Sequence, residues 1–144
     1  MSEKVYLDTS AIVKRYIVED GTEIVDRLYR DAHAGQRTIL FSILNVVESA
    51  VVFDKYERRG VIKSAKKAFE RFLGETRLLL KLGQLIIVPI NLETVLEAIE
   101  LVFKHGIYIV DAIQISSAKN ARAFLTFDSE LAKIAKKEGF ELIC

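Results

Sequence analysis

Four acidic residues of this 144-residue chain sit where a charge demands a reason. Asp8 closes the run VYLD and Asp128 closes FLTFD, each at a point where a β-prone stretch hands over to a helical one. Glu48 and Asp111 lie inside apolar, helix-like stretches, SILNVVESA and YIVDAIQISSA. On a helix, Glu48 neighbours Leu44, Asn45, Val51 and Val52, while Asp111 neighbours Ile107, Tyr108, Gln114 and Ile115. Taken singly, an acid at the start of a helix is accounted for by the dipole, and Glu48 by a buried ion pair with a distant Lys or Arg. Convergence changes that reading. Two strand-end acids and two acids on inner helix faces can meet at one edge of a sheet, and two carboxylates about 4 Å apart repel by on the order of 4 kcal/mol at an effective dielectric near 20. Four of them need a counter-charge. An all-oxygen ligand set suits Mg²⁺ or Mn²⁺ rather than zinc.

The elements that must bring these acids together follow from the apolar periodicity. Strands are expected over 4–8, 37–41, 84–90, 123–128 and 140–144, the third losing its ladder near Pro89, the single proline. Helices are expected over 11–20, 21–35, 43–60, 61–83, 92–106, 108–121 and 129–139. Thr9, Ser10, Thr22 and Asn91 are the cap-type residues at helix starts, and Gly35, Gly60 and Gly106 stand at helix ends. Strands alternating with helices predict an α/β fold: a mostly parallel central sheet with helices on both faces, three-layered and Rossmann-like. In such sheets ligands bind beyond the carboxyl ends of the strands, where Asp8 and Asp128 fall. With no repeat, linker or low-complexity tract, residues 1–144 read as a single domain.

Composition excludes several classes. Apolar residues make up 51% and charged residues 28%, which is neither disordered nor fibrous. Formal charge is +1; neutralising four of the 20 acids against 21 basic residues leaves +5, a mild lean toward a polyanion. The only cysteine, Cys144, permits neither an internal disulfide nor a cysteine zinc site, which fits a cytoplasmic location. MSEKVYLD lacks the pattern of a signal peptide, and TILFSILNVVESAVVF is interrupted by Ser42, Asn45, Glu48 and Ser49, a poor membrane span. His33 and His105 read as isolated surface or capping residues. Lys14 and Arg15, one turn beyond Asp8, are placed to reach a phosphate, whereas the basic groups at 58–59, 63–67 and 133–137 read as solvated faces.

VYLDTSAIVKRY, SILNVVESA, VDAIQISSA and LTFDSELAKIAKKEGFELI, in this order and spacing, resemble the PIN-domain ribonucleases, in particular the single-domain VapC-type toxins. The resemblance runs over essentially the whole chain. It implies a PIN-like fold and an acidic quartet, Asp8, Glu48, Asp111 and Asp128, that binds Mg²⁺ or Mn²⁺ and cuts RNA endonucleolytically. Ser10 and Thr126 match hydroxyl positions that line such sites in a supporting role. A metal held by Asp8 and Asp111 would activate water and polarise the phosphodiester, with Glu48 and Asp128 positioning metal or water. The resemblance further implies a small antitoxin protein as partner and a homodimer. An aspartate-nucleophile phosphatase would want a second acid where Ser10 stands, and a receiver domain a lysine on a late strand, which AFLTFD lacks. A catalytically silent module of the same fold, binding RNA or a partner, is the reading from another class.

Overall fold

The computed structural model describes residues 3–143, so Cys144 and the last position of the expected strand 140–144 lie outside the described residues. Five strands form one sheet: β1 (Glu3–Leu7), β2 (Arg37–Ser42), β3 (Leu85–Val88), β4 (Ala123–Leu125) and β5 (Glu141–Leu142). Their order is β3-β2-β1-β4-β5, and every neighbouring pair is parallel. The helices are α1 (Thr9–Tyr16), α2 (Thr22–His33), α3 (Ile43–Arg58), α4 (Ala65–Lys81), α5 (Leu92–His105), α6 (Ile109–Ser117) and α7 (Ser129–Lys137). This is the expected α/β fold.

The alternation of side chains along each strand builds the three layers. Val5 and Leu7, Ile39 and Phe41, and Leu125 point to one face, where α1 to α4 contribute Ile12, Tyr29, Phe53, Phe72 and Leu79. Tyr6, Leu40 and Phe124 point to the other, covered by Ile115 of α6 and Leu131 and Ala135 of α7, with Leu101 of α5 against them. Tyr16 makes edge-on contacts with Tyr29, Phe53 and Phe72 at centroid distances of 6.3, 6.3 and 5.7 Å. Each such buried ring contributes roughly 1.5–3 kcal/mol of burial free energy. Among the described residues no helix is long and apolar enough to cross a membrane.

Several expected boundaries move, for identifiable reasons. Helix α1 ends at Tyr16, not at residue 20, because Ile17 turns extended and the Thr22 hydroxyl donates to the Lys14 carbonyl at 2.9 Å, satisfying a last-turn acceptor. Thr22 therefore does not cap α2; Gly21, at φ +95°, is its N-cap. Thr9 and Ser10 lie inside α1, which Asp8 caps by accepting from the Ala11 N–H. Helix α4 begins only at Ala65, after the Ser64 cap, so 61–64 is not helical. Helix α6 is confined to nine residues and β4 to three, which releases Thr126, Phe127 and Asp128 from the ladder. Asn91 does cap α5, Gly106 ends it at φ +66°, and β3 stops one residue before Pro89.

Candidate active site

Strand order reverses direction at β1: β2 and β3 lie to one side of it, β4 and β5 to the other. Ligand crevices in open parallel sheets form at such a switch, beyond the carboxyl ends of the strands. Asp8 follows β1 there, and pairing of Leu7 with Leu125 puts Thr126 beside it. The Asp8 carboxylate is held from three sides. Ser10 Oγ donates to Oδ1 at 2.6 Å, the Ala11 N–H to the same atom at 3.1 Å, and Thr126 Oγ1 to Oδ2 at 2.5 Å. Each hydroxyl also accepts from the β4–α7 connection: Ser10 Oγ from the Phe127 N–H at 2.9 Å, Thr126 Oγ1 from the Asp128 N–H at 3.0 Å. The two hydroxyls thereby tie the ends of β1 and β4 together. Burial pushes the Asp8 carboxyl up to about 6; the Ser10, Thr126 and Ala11 donors pull it down, and the Asp128 charge adds to the rise.

Glu48 comes from the second turn of α3, whose start is fixed by Ser42. The Ser42 hydroxyl accepts from the Leu44 N–H, and Asn45 Oδ1 accepts from the Ser42 N–H at 2.7 Å, a reciprocal cap. Glu48 Oε1 accepts from Thr9 Oγ1 at 2.8 Å and Gln114 Nε2 at 3.2 Å. Its donors are neutral, so the buried ion pair that would have explained Glu48 structurally is not formed. Asp111, third residue of α6, is half-buried and has no hydrogen bond or ion pair among the described residues. Burial raises its pKa, and the charges of Asp128 and Glu48 raise it further. Asp128 caps α7, its Oδ1 accepting from the N–H groups of Glu130 and Leu131 at 2.9 and 3.2 Å.

All four acids line one cleft of about 630 Å³. The carboxylates oppose one another's ionisation, Asp128 acting on both Asp8 and Asp111. Among the described residues none is paired with a lysine or arginine. Glu48 Oε2, Asp128 Oδ2 and both Asp111 oxygens accept no hydrogen bond from the described residues. Such a donor set, all oxygen and short of positive charge, fits a hard divalent cation through Asp8, Glu48, Asp111 and Asp128. It is not a closed cage: among the described residues no three His, Cys, Asp or Glu side chains are gathered tightly enough to hold a metal ion. A separate hollow of about 680 Å³ shares no lining residue with the cleft, and four of its charged side chains pair with one another, Lys104 with Glu138 and Lys119 with Glu97.

A family model for the PIN domain matches residues 5–137. The chain belongs to the PIN domain family. Similar solved structures include VapC20 of Mycobacterium tuberculosis, a Sarcin-Ricin loop cleaving toxin, at 15% identity and TM-score 0.66, covering 95% of this chain and 96% of that one. PAE2754 of Pyrobaculum aerophilum matches at 17% identity and TM-score 0.64, covering 99% and 90%. VapBC2 of Rickettsia felis, solved with a DNA fragment from its promoter, matches at 20% identity and TM-score 0.60, covering 97% of each chain. At these identities the likeness is one of fold. Among curated proteins none matches this sequence.

The PIN domain also contains site residues to which no role is assigned from sequence. Tyr6, Asn45 and Gln114, all buried, form a polar cluster under Glu48. Tyr6 Oη lies 2.6 Å from Gln114 Oε1 and 2.9 Å from Asn45 Oδ1, and its one proton serves one of them at a time. Asn45 Nδ2 donates to Thr9 Oγ1 at 2.9 Å and to Gln114 Oε1 at 3.1 Å. Burial, with the nearby charges of Asp8 and Glu48, raises the Tyr6 pKa, so the phenol remains a donor. The available signal is helical spacing: Asn45 precedes Glu48 by three residues and Gln114 follows Asp111 by three, both amides on otherwise apolar or small-residue faces.

Two sequence expectations need correcting. Arg15 does not reach toward the cleft; it binds Glu75 and Asp26 at 2.8–2.9 Å and lies over the Tyr29 ring. Lys14 lines the cleft but is paired with Glu19 at 3.1 Å. The histidines are not isolated: His33 bonds Glu75 at 2.8 Å, and His105 bonds Glu138 at 2.7 Å. Each sits at a helix end and clamps it to another helix, a tertiary pairing with no sequence signal.

Proposed function

We propose that this PIN domain is a divalent-metal-dependent endoribonuclease, working as one domain over residues 1–144. The observation that carries the reading is a single one: four carboxylates from four elements line one cleft with no cationic partner among the described residues, and three of them, Glu48, Asp111 and Asp128, keep oxygens that accept no hydrogen bond. Asp8, Glu48, Asp111 and Asp128 would hold Mg²⁺ or Mn²⁺, which when bound supplies Lewis-acid polarisation of a phosphodiester and neutralises charge developing in the transition state. The chain's own residues do the positioning. Ser10 and Thr126 hold the Asp8 carboxylate in one orientation, and Thr9 with Gln114 directs Glu48 Oε1, leaving Oε2 toward the cleft. Asp111 makes no hydrogen bond or ion pair among the described residues, so both of its oxygens are open to a ligand. Hydrolysis adds water to phosphorus and breaks the P–O3′ bond, leaving 5′-phosphate and 3′-hydroxyl ends.

The likeness to VapC20 and VapBC2 supports placing the chain as the toxin of a type II toxin–antitoxin pair, cytoplasmic and homodimeric, with RNA as substrate and a small antitoxin blocking the acidic cleft. Exposed side chains at helical spacing, Ile43, Val47 and Val51 on α3 and Leu92, Leu96 and Phe103 on α5, supply apolar surface of the kind such partners bury. Asp111→Asn removes a charge while keeping shape. Purified wild type should cut a mixed RNA panel with Mg²⁺ or Mn²⁺ and not with EDTA, and the variant should lose at least about 100-fold of that rate. The absence of a closed ligand cage favours a second reading, the catalytically silent module. In that case wild type and Asp111→Asn are equally inactive while binding RNA alike.

A further inference from the structure

One aromatic residue of the cleft has a position that neither metal nor acid chemistry requires. Phe127 stands between Thr126 and Asp128, lines the cleft, and keeps 38% of its surface exposed. An exposed ring at a loop is ordinarily free to swing, but this one is clamped. The Lys14 ammonium sits 4.7 Å from the ring centroid and is itself fixed by Glu19. The Phe127 N–H donates to Ser10 Oγ. The ring edge packs into the space left by Gly21, where a Cβ would meet Phe127 Cε1 at 2.5 Å and Cζ at 2.8 Å. Gly21 is at φ +95°, so backbone and packing both exclude a side chain there. Lys55, which lines the same cleft, is exposed and has no hydrogen-bond or ion-pair partner for its side chain among the described residues.

A clamped aromatic face and a free cation, both lining one acidic cleft, are the two parts of a single-stranded nucleotide subsite. Bases stack on the ring whatever their identity, and the ammonium takes a backbone phosphate. An acidic cleft that admits a polyanion also needs such a cation, and Arg15 does not serve because it is turned toward Asp26 and Glu75. We infer that Phe127 stacks an unpaired base of the RNA strand and Lys55 binds a phosphate of the same strand. This rests on the nuclease reading for its substrate, and it extends that reading to specificity.

The test uses the Asp111→Asn protein, so that the probe stays intact, and single-stranded RNA oligonucleotides carrying 2-aminopurine at each position in turn. Fluorescence should be quenched at one position of the bound strand. Phe127→Leu, which keeps an apolar side chain over Gly21, should abolish the quench and weaken binding about 5- to 150-fold, the range for loss of one stacked base. Phe127→Tyr should retain both, and Lys55→Ala should flatten the salt dependence of binding by close to one counterion. Melting temperature monitors folding of each variant. Unchanged affinity in Phe127→Leu with no quench anywhere along the strand overturns the subsite and leaves the ring to packing or a protein partner. Wild-type cutting, measured alongside, then leaves the nuclease reading standing. If the wild type neither binds nor cuts RNA, both fall.

Discussion

Glu48 is only as well directed as the amide beneath it. Gln114 donates to Glu48 Oε1 through Nε2 and accepts from Tyr6 and Asn45 through Oε1, so one buried side chain links the catalytic candidate to the polar cluster. Gln114→Leu conserves volume but takes one of two acceptors from Asn45 Nδ2, leaves the Tyr6 hydroxyl to Asn45 Oδ1 alone, and removes one of the two donors to Glu48 Oε1. Losing a buried partner costs about 1–3 kcal/mol, and loss of an outer-shell orienting group typically costs 10- to 100-fold in metal affinity or activity. Gln114→Leu should therefore cut RNA about 10- to 100-fold more slowly, with a urea midpoint lowered accordingly. A full-rate variant would show that Glu48 needs no orienting amide. At this scale the acids were legible from their types and surroundings. The amides were not, because a single Asn or Gln on an apolar face reads equally well as a tolerated core residue.

At the scale of elements, the site is an assembly of helix starts. Asp8 caps α1, Ser42 caps α3 and brings Glu48 inward, Asp111 sits in the first turn of α6, and Asp128 caps α7. Of these helices α1 is tied in turn to α2 and α4 by Glu75 of α4, which accepts from Arg15 and Tyr16 of α1 and pairs with His33 of α2. Burial by itself raises the Glu75 pKa, but hydrogen bonds from Arg15, His33 and Tyr16 outweigh it and hold the carboxyl at about 2. A carboxylate depressed in the folded state contributes stability above its unfolded pKa. That contribution is fully present above about pH 4.5 and is lost as pH falls toward 2, amounting to on the order of 3 kcal/mol. Urea midpoints measured from pH 7 to pH 2 should fall across that window. Glu75→Gln should start lower and show a flatter acid limb; an unchanged limb would assign acid sensitivity to other carboxylates.

For the whole molecule, the decisive quantity is uncompensated charge. Net charge is only +1, yet the cleft gathers four acids without a paired cation. A divalent ion that binds the folded cleft stabilises it by RT ln(1 + [L]/Kd), about 1.4 kcal/mol at ten times Kd, or roughly 3–6 °C for a domain of this size. Added Mn²⁺ should raise the wild-type melting temperature by that amount and do markedly less for Asp111→Asn. Equal shifts in the two proteins would place metal binding elsewhere.

The layered α/β fold and the four suspect acids were legible in the sequence because they follow from local information: alternation along strands, apolar stripes on helices, and acids at strand ends or on apolar helix faces; the family was legible only as a resemblance of four motifs in order and spacing. Tertiary structure alone decided what those acids face and what surrounds them. The polar cluster of Tyr6, Asn45 and Gln114 joins residues up to 108 apart in sequence, and Arg15 and His33 are claimed by Glu75. Phe127 is clamped between Lys14 and Gly21 by the short β4, which frees Thr126 to Asp128 from the ladder. Pairings of that kind depend on which strand lies beside β1 and on how far each helix runs. Both are set by packing across the sheet, and no spacing within a single segment encodes them.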